Sequence, residues 1–462
     1  MKKNNNQSDE FEPAWYEKKQ GITRRKKIKS AEYEEIKQLK KEGKDYFQKK
    51  SKQDKESAKE RKKNNSLETK KARSRMEEIT VEEVDSLFDI ANLPSDARNI
   101  LQEVGNIISE VSPLNSKQRL LLPKQIQALS HSLTDERDKR WTGYMNKTET
   151  LSAYVRYFFW WNLVRLTRLF SNLPSSFFSL SDGDICLDIG SGPLTLPIAL
   201  FLARPELRTK YLTFYCMDIS SQALLFGENI FLSIASKLKC QAWKIVRVKG
   251  SMGTAVKEKA VLVTCANMFN EATQDSSMPP DYLAKKYCEQ LLSYTDEKKD
   301  GKVLVVETGA PKAARFVSLL RDSFLRRGYQ PLSPCTHCSA CPMDGKKGGK
   351  WCNYVFSTDD APKELKKLSA EAKLTKERAV LSFVALTKGM KKEEKEGFVT
   401  FRIASDGIHL PGNRTGHYAC SPLGLLLVVS NAPFSSGECL CAPLPKGPLP
   451  VDEKSGAFIL KL

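Results

Sequence analysis

The sequence predicts an α/β protein built on a doubly wound, mostly parallel sheet. Two observations carry this. Five short apolar runs alternate with helix-length segments from Asp184 onward, and the first run ends in a glycine turn leading straight into a helical pattern. The runs are Ile185 to Ile189, Leu212 to Met217, Trp243 to Val248, Val261 to Ala266 and Val303 to Val306. Such near-continuous apolar character belongs to strands covered on both faces by helices. Two further strands, near Tyr354 to Phe356 and Leu381 to Leu386, are expected to close the sheet as an antiparallel pair.

Ahead of the sheet, Thr80 to about Leu122 carries short amphipathic patterns such as Val84, Leu87, Ile90 and Ala91, punctuated by Pro94 and Pro113, and predicts helices. In the aromatic block Gly143 to Leu173, residues Leu151, Tyr154, Phe158 and Trp161 recur at helical spacing, with Arg165 and Arg168 on another face. After a charged linker between Lys388 and Glu396, Phe398 to Ile403, His417 to Cys420 and Leu425 to Val429 predict the short strands of a small β module. The expected plan is a disordered basic tail (1–78), a helical region (79–173), the sheet domain (174–389) with a cysteine-rich loop at 334–353, the β module (390–431), and a loose tail rich in Pro, Gly and Ser (432–462).

Of the formal net charge of +19, a surplus of twelve sits in residues 1 to 76, which hold 25 Lys or Arg against 13 Asp or Glu. This segment has too few apolar side chains to offset the entropy of ordering, and its charge suits a polyanion. It is Lys-rich and carries many carboxylates, unlike an organelle transit peptide, and no apolar run follows it as in a secretory signal. No stretch reaches the roughly 18 apolar residues of a membrane span. The expectation is a soluble protein of a reducing compartment, whose twelve cysteines are thiols or metal ligands.

The first strand ends in Asp188-Ile189-Gly190-Ser191-Gly192-Pro193 and runs into the helical segment Leu194 to Leu202. Gly190 and Gly192 let the backbone turn tightly against a ligand at the carboxyl end of the strand. Asp218 ends the second strand, 26 residues beyond Gly192, where a carboxylate accepts hydrogen bonds from ribose hydroxyls. A dinucleotide fingerprint would place glycine where Thr195 stands, and no cationic group awaits a pyrophosphate. S-adenosylmethionine, a sulfonium without phosphate, fits better beside Asp188 and Asp218. Ser251 follows the third strand, placed to touch the adenine, and Asn267, in Asn267-Met268-Phe269-Asn270-Glu271, follows the fourth at the edge where methyl transfer would occur. No Asn-Pro-Pro-Tyr or Pro-Cys methylation motif is present, so the catalytic residues are unknown.

A second constellation is Pro334-Cys335-Thr336-His337-Cys338-Ser339-Ala340-Cys341-Pro342, followed by Trp351-Cys352. Cys186, Cys216, Cys240, Cys265 and Cys288 stand in apolar or helical contexts and read as small core residues. The loop cysteines stand among Pro, Gly and Lys, where thiolates gain from positive charge. Zinc and an iron–sulfur cluster are the two options; three crowded cysteines with a Cys-Pro step lean towards the cluster.

These motifs, with Leu187 to Pro193, Phe269-Asn270-Glu271 and Val306-Glu307-Thr308-Gly309-Ala310-Pro311, resemble the methyltransferase-like small-subunit ribosome assembly family of mitochondria and bacteria, over about residues 140 to 430. The resemblance implies a Rossmann-like class I methyltransferase sheet. It also implies a 4Fe-4S cluster on Cys335, Cys341, Cys352 and a distant cysteine, matched by Cys420 in His417-Tyr418-Ala419-Cys420-Ser421-Pro422-Leu423-Gly424. The family generally lacks a cysteine at the place of Cys338, so five thiols face four positions. It further implies binding of small-subunit rRNA near the decoding region, with methyl transfer left open. Lys346, Lys347, Lys350 and the basic tail would contact phosphates without reading sequence. The leading expectation is an assembly or translation factor, a monomer on the small ribosomal subunit with no membrane contact, cytoplasmic in a bacterium and mitochondrial in a eukaryote. The alternatives are a catalytically active rRNA methyltransferase and a zinc-stabilised small-molecule methyltransferase.

Overall fold

The computed structural model describes residues 37–38, 81–134, 143–269, 277–346, 349–389 and 395–462. The basic tail, Asn270, Glu271, Lys347 and most of the charged linker lie outside them. The unit from Ile79 to Leu462 holds two sheets. It begins with β1 (Glu82–Ser86), where the amphipathic pattern predicts helix: the segment instead pairs antiparallel with a strand far along the chain, from Glu82 opposite Cys441 to Ser86 opposite Glu438. Helices follow as expected, α1 (Ser95–Val111), α2 (Ser116–Thr134), α3 (Thr148–Ala153) and, after a π turn, α4 (Trp160–Asn172), which buries Trp160, Trp161 and Phe170.

The strands of the first sheet are β2 (Ile185–Ile189), β3 (Thr213–Asp218), β4 (Lys244–Lys249), β5 (Leu262–Ala266), β6 (Lys302–Thr308), β7 (Tyr329–Ser333), β8 (Tyr354–Ser357) and β9 (Arg378–Lys388). Their spatial order is β4-β3-β2-β5-β6-β9-β7, with β8 also on β9. β4 through β6 are mutually parallel, and β9 runs antiparallel between β6 and β7. This order, in which the strand sequence switches sides between β2 and β5 and one antiparallel strand, β9, is inserted next to the last, is the Rossmann-like class I methyltransferase arrangement. Side chains alternate across it: Cys186, Phe214, Leu262 and Leu304 join one core with the amino-terminal helices, α5 (Thr195–Ala203) and α6 (Ser221–Lys237), while Leu187, Ile189, Val263 and Val305 join the other with α7 (Pro280–Tyr294) and α8 (Pro311–Leu325). Of the five cysteines read as core, Cys240 is half-buried and the rest are buried.

The far edge positions the cysteine loop. β7 pairs with Ala385 to Lys388 of β9, and β8 pairs with Arg378 to Leu381 of the same strand. They are thus two halves of one edge strand, and residues 334–353 are an excursion opposite Ser382 to Val384.

The second sheet comprises β1, β10 (Phe398–Ile403), β11 (Ile408–Leu410), β12 (Arg414–Ser421), β13 (Gly424–Ser430), β14 (Glu438–Pro443) and β15 (Phe458–Lys461). Its order is β1-β14-β10-β12-β13-β15, with β11 on β12. The segment 432–462, expected to be a loose tail, supplies β14 and β15 and packs Leu440, Ala442 and Leu460 into the module's core. Proline and glycine there mark turns between strands, not an unfolded end.

Candidate functional site

The glycine turn lies at the switch point between β2 and β5, where open α/β sheets bind ligands. Gly190 and Gly192 have φ of 69° and 52°, and Leu194, where a third glycine is usual, also sits in the left-handed region at 58°. The amides of Gly190 and Ser191 donate to the Met217 carbonyl. Asp218 accepts from Gly192 N at 2.9 Å and Ser220 N at 2.8 Å, so one carboxylate fixes the turn and holds Ser220, whose hydroxyl caps α6 (Ser221–Lys237) by accepting from Ala223 N. Gly227 in that helix meets the Pro193 backbone so closely that a Cβ would fall 2.3 Å from it. Asp188 is 1% exposed and accepts from Thr264 Oγ1 at 2.7 Å; burial pushes its carboxyl up to about 7. Asp188 therefore sits beneath the turn, and Asp218, at the end of β3, is buried as well, with burial pushing its carboxyl up. Ser251 is exposed, its amide donating to Thr254 Oγ1.

Asn267 follows β5 with φ of 56°, its amide donating to Val306 O at 2.8 Å. Its Oδ1 accepts from Arg165 Nη2 at 2.9 Å, while Arg165 Nη1 donates to Val380 O. The aromatic helix thus reaches over the edge where an acceptor would enter. Its neighbour Arg168 pairs instead with Asp360. Glu307, from the Glu-Thr-Gly-Ala-Pro motif, is buried and accepts from Phe269 N at 2.7 Å.

Cys335, Cys341, Cys352 and Cys420 are brought together from the loop and from β12. All six pairs among them lie within electrostatic range, and burial followed by the neighbouring thiols pushes Cys341, Cys352 and Cys420 up. Cys338 is exposed. Among the described residues, no group of three or more His, Cys, Asp or Glu side chains stands ready to hold a metal ion. The donor set is nonetheless that of a soft metal centre: four thiols with cationic neighbours. Arg321, on α8, donates from Nε to Cys335 Sγ at 3.2 Å and from Nη2 to the carbonyls of His337 and Ser339 at 2.9 Å. His337 Nε2 lies 3.2 Å from Cys420 Sγ. Arg402, on β10 between Cys420 and Cys439 of the flanking strands, donates from Nε to Pro334 O at 2.7 Å and from Nη1 to Gly437 O at 2.8 Å, and pairs with Asp85. The first sheet and the β module therefore grip the cysteine loop from both sides. Neither arginine carries a sequence signal, because each meets the loop only through tertiary contacts.

Lys350 lies over the Tyr418 ring at 4.2 Å, and Lys346 pairs with Asp344 at 3.0 Å. No helix among the described residues is long and apolar enough to cross a membrane.

Among solved structures, the chain is similar to a methyltransferase from Pyrococcus furiosus (11% identity, covering 47% of this chain and 81% of that one, TM-score 0.26). It is also similar to a SAM-dependent methyltransferase from Geobacter sulfurreducens in complex with S-adenosyl-L-homocysteine (13% identity, 57% and 98%, TM-score 0.27). The fold assignment rests on the strand order, not on these scores. No curated protein sequence matches the chain. Residues 180–413, just over half of the chain, match the model of the family described as mitochondrial small ribosomal subunit Rsm22, and the chain belongs to that family.

Proposed function

We propose that the chain is an assembly or translation factor of the mitochondrial small ribosomal subunit that holds small-subunit rRNA. A 4Fe-4S cluster on Cys335, Cys341, Cys352 and Cys420 would tie its methyltransferase sheet to its β module. The observation that carries this reading is the meeting of four thiols from two modules, gripped by a buried arginine from each. The three crowded cysteines and the Cys-Pro step of the loop favour the cluster, with zinc as the alternative occupant of the same four thiols. When bound, the cluster supplies cross-linking between the modules and one-electron chemistry.

S-adenosylmethionine would lie in the switch-point crevice, with Asp218 on its ribose, the Gly190 and Gly192 turn against its amino-acid end, and Ser251 and Asn267 flanking it. The backbone plan fits this ligand. Because Arg165 already engages Asn267 at the acceptor edge, the arrangement favours a holding role over turnover. Lys346 and Lys350 beside the loop, with the basic tail, would contribute phosphate contacts.

The test pairs two measurements on the full chain. Co-sedimentation with immature small subunits reads the holding role, and incubation with tritiated S-adenosylmethionine reads turnover. Binding without label in RNA is expected. Label in RNA would replace the holding role with an active rRNA methyltransferase, and failure to bind subunits would overturn both.

A further inference from the structure

Four thiols account for a cluster's ligands, and a buried cation, Arg321, stands beside them. Its residue is 2% exposed, and its guanidinium is committed to the cysteine loop through Cys335 Sγ and the carbonyls of His337 and Ser339. The remaining nitrogen, Nη1, pairs with Asp322 at 2.7 Å. Burying a cation to hold two carbonyls is costly when a neutral side chain would do. The charge has a reason if the sulfur that its Nε faces at 3.2 Å is a thiolate. Arg402 differs: both of its terminal nitrogens meet the Asp85 carboxylate and its Nε donates to a carbonyl instead of a sulfur, so its part is mechanical.

We propose that Arg321 is a charge-compensating positioning residue of the cysteine site, donating to the Cys335 thiolate and making the bound cluster easier to reduce. This rests on the cluster reading above. One-electron reduction adds one negative charge to the core and its thiolates, with no bond formed or broken and no proton moved. A fixed positive charge and a hydrogen bond at a ligand sulfur both favour that added charge. The junction of the two modules would then respond to reducing conditions, beyond serving as an inert staple.

The experiment is a redox titration of the full chain, purified anaerobically, with dithionite as the electron donor. Iron and sulfide are quantified first, and reduction is followed by visible absorbance and electron paramagnetic resonance. R321M is expected to make reduction at least about tenfold less favourable, a midpoint lower by about 59 mV or more. R321K, which keeps the charge and loses the fork, should fall between. D322N removes the carboxylate that offsets Arg321 and should move the midpoint the opposite way, so the proposal stays testable if R321M does not fold. R402K should leave the midpoint in place. Fully loaded R321M and D322N with wild-type midpoints would overturn this inference alone, whereas wild type lacking iron and sulfide would overturn the cluster reading and this inference with it.

Discussion

Replacing Arg402 by methionine removes a side chain that hydrogen-bonds the cysteine loop, β1 and the turn before β14 together. The residue is 3% exposed; three partners lose a donor, namely Pro334 O, the Asp85 carboxylate and Gly437 O, which keeps Leu87 N. Hydrogen bonds to a charged group contribute about 1.5–3 kcal/mol each, and breaking a buried ion pair costs about 3–5 kcal/mol. Asp85 is 39% exposed at its side chain, so water recovers part of its loss. Methionine of similar length retains much of the packing, and about 3 kcal/mol remains as the expected destabilisation. Urea unfolding of the full chain measures it. R402K, which restores one donor, should recover about half, and the double-mutant cycle with D85N should show a coupling of about 1 kcal/mol or more. An R402M protein within about 0.5 kcal/mol of wild type would refute the idea that this arginine joins the modules.

Three further outcomes follow from the site. The Asp188 carboxyl, raised to about 7 by burial, holds its proton in the folded chain at pH values where the unfolded chain has lost it. Stability should therefore fall as pH rises from about 4 to 7. D188N should flatten that decline by on the order of 2–4 kcal/mol, and an unchanged pH profile would contradict the burial argument. D218A should weaken S-adenosylmethionine binding at least about tenfold by calorimetry, since the carboxylate that holds the Gly192 turn and, in the proposed pose, the ribose is lost; equal affinity would remove the cofactor from this turn. Affinity for an rRNA fragment should drop steeply with salt, and K350A should make the slope shallower by roughly one phosphate contact; an unchanged slope would take Lys350 out of the interface.

The first sheet was legible because each buried strand reads as an apolar run, and β2, β3, β4 and β5 fall within a residue of the runs that predict them. What escaped were strands whose order comes from distant partners. β1 reads Glu-Glu-Val-Asp-Ser and β7 carries Pro331, yet each pairs with a strand far along the chain or at an edge. β14 and β15 hid among the prolines and glycines that turn the chain between them. The glycine turn and Asp218 followed from local spacing. Cys335 and Cys420, 85 residues apart, were joined by resemblance, and β12 supplies the physical cause: Ala419 enters the module's core, so Cys420 faces the loop. Arg321 and Arg402 could not be found this way, since an arginine's partner is set by packing and not by its neighbours in the chain.

The most direct test of the central claim is iron and acid-labile sulfide content after anaerobic purification, compared between wild type, C335S and C420S. About four of each per wild-type chain is expected, with both falling in C420S as far as in C335S, because the two thiols lie on different modules but share one centre. A metal-free wild type, a single zinc, or a C420S protein that keeps its full iron and sulfide would contradict it.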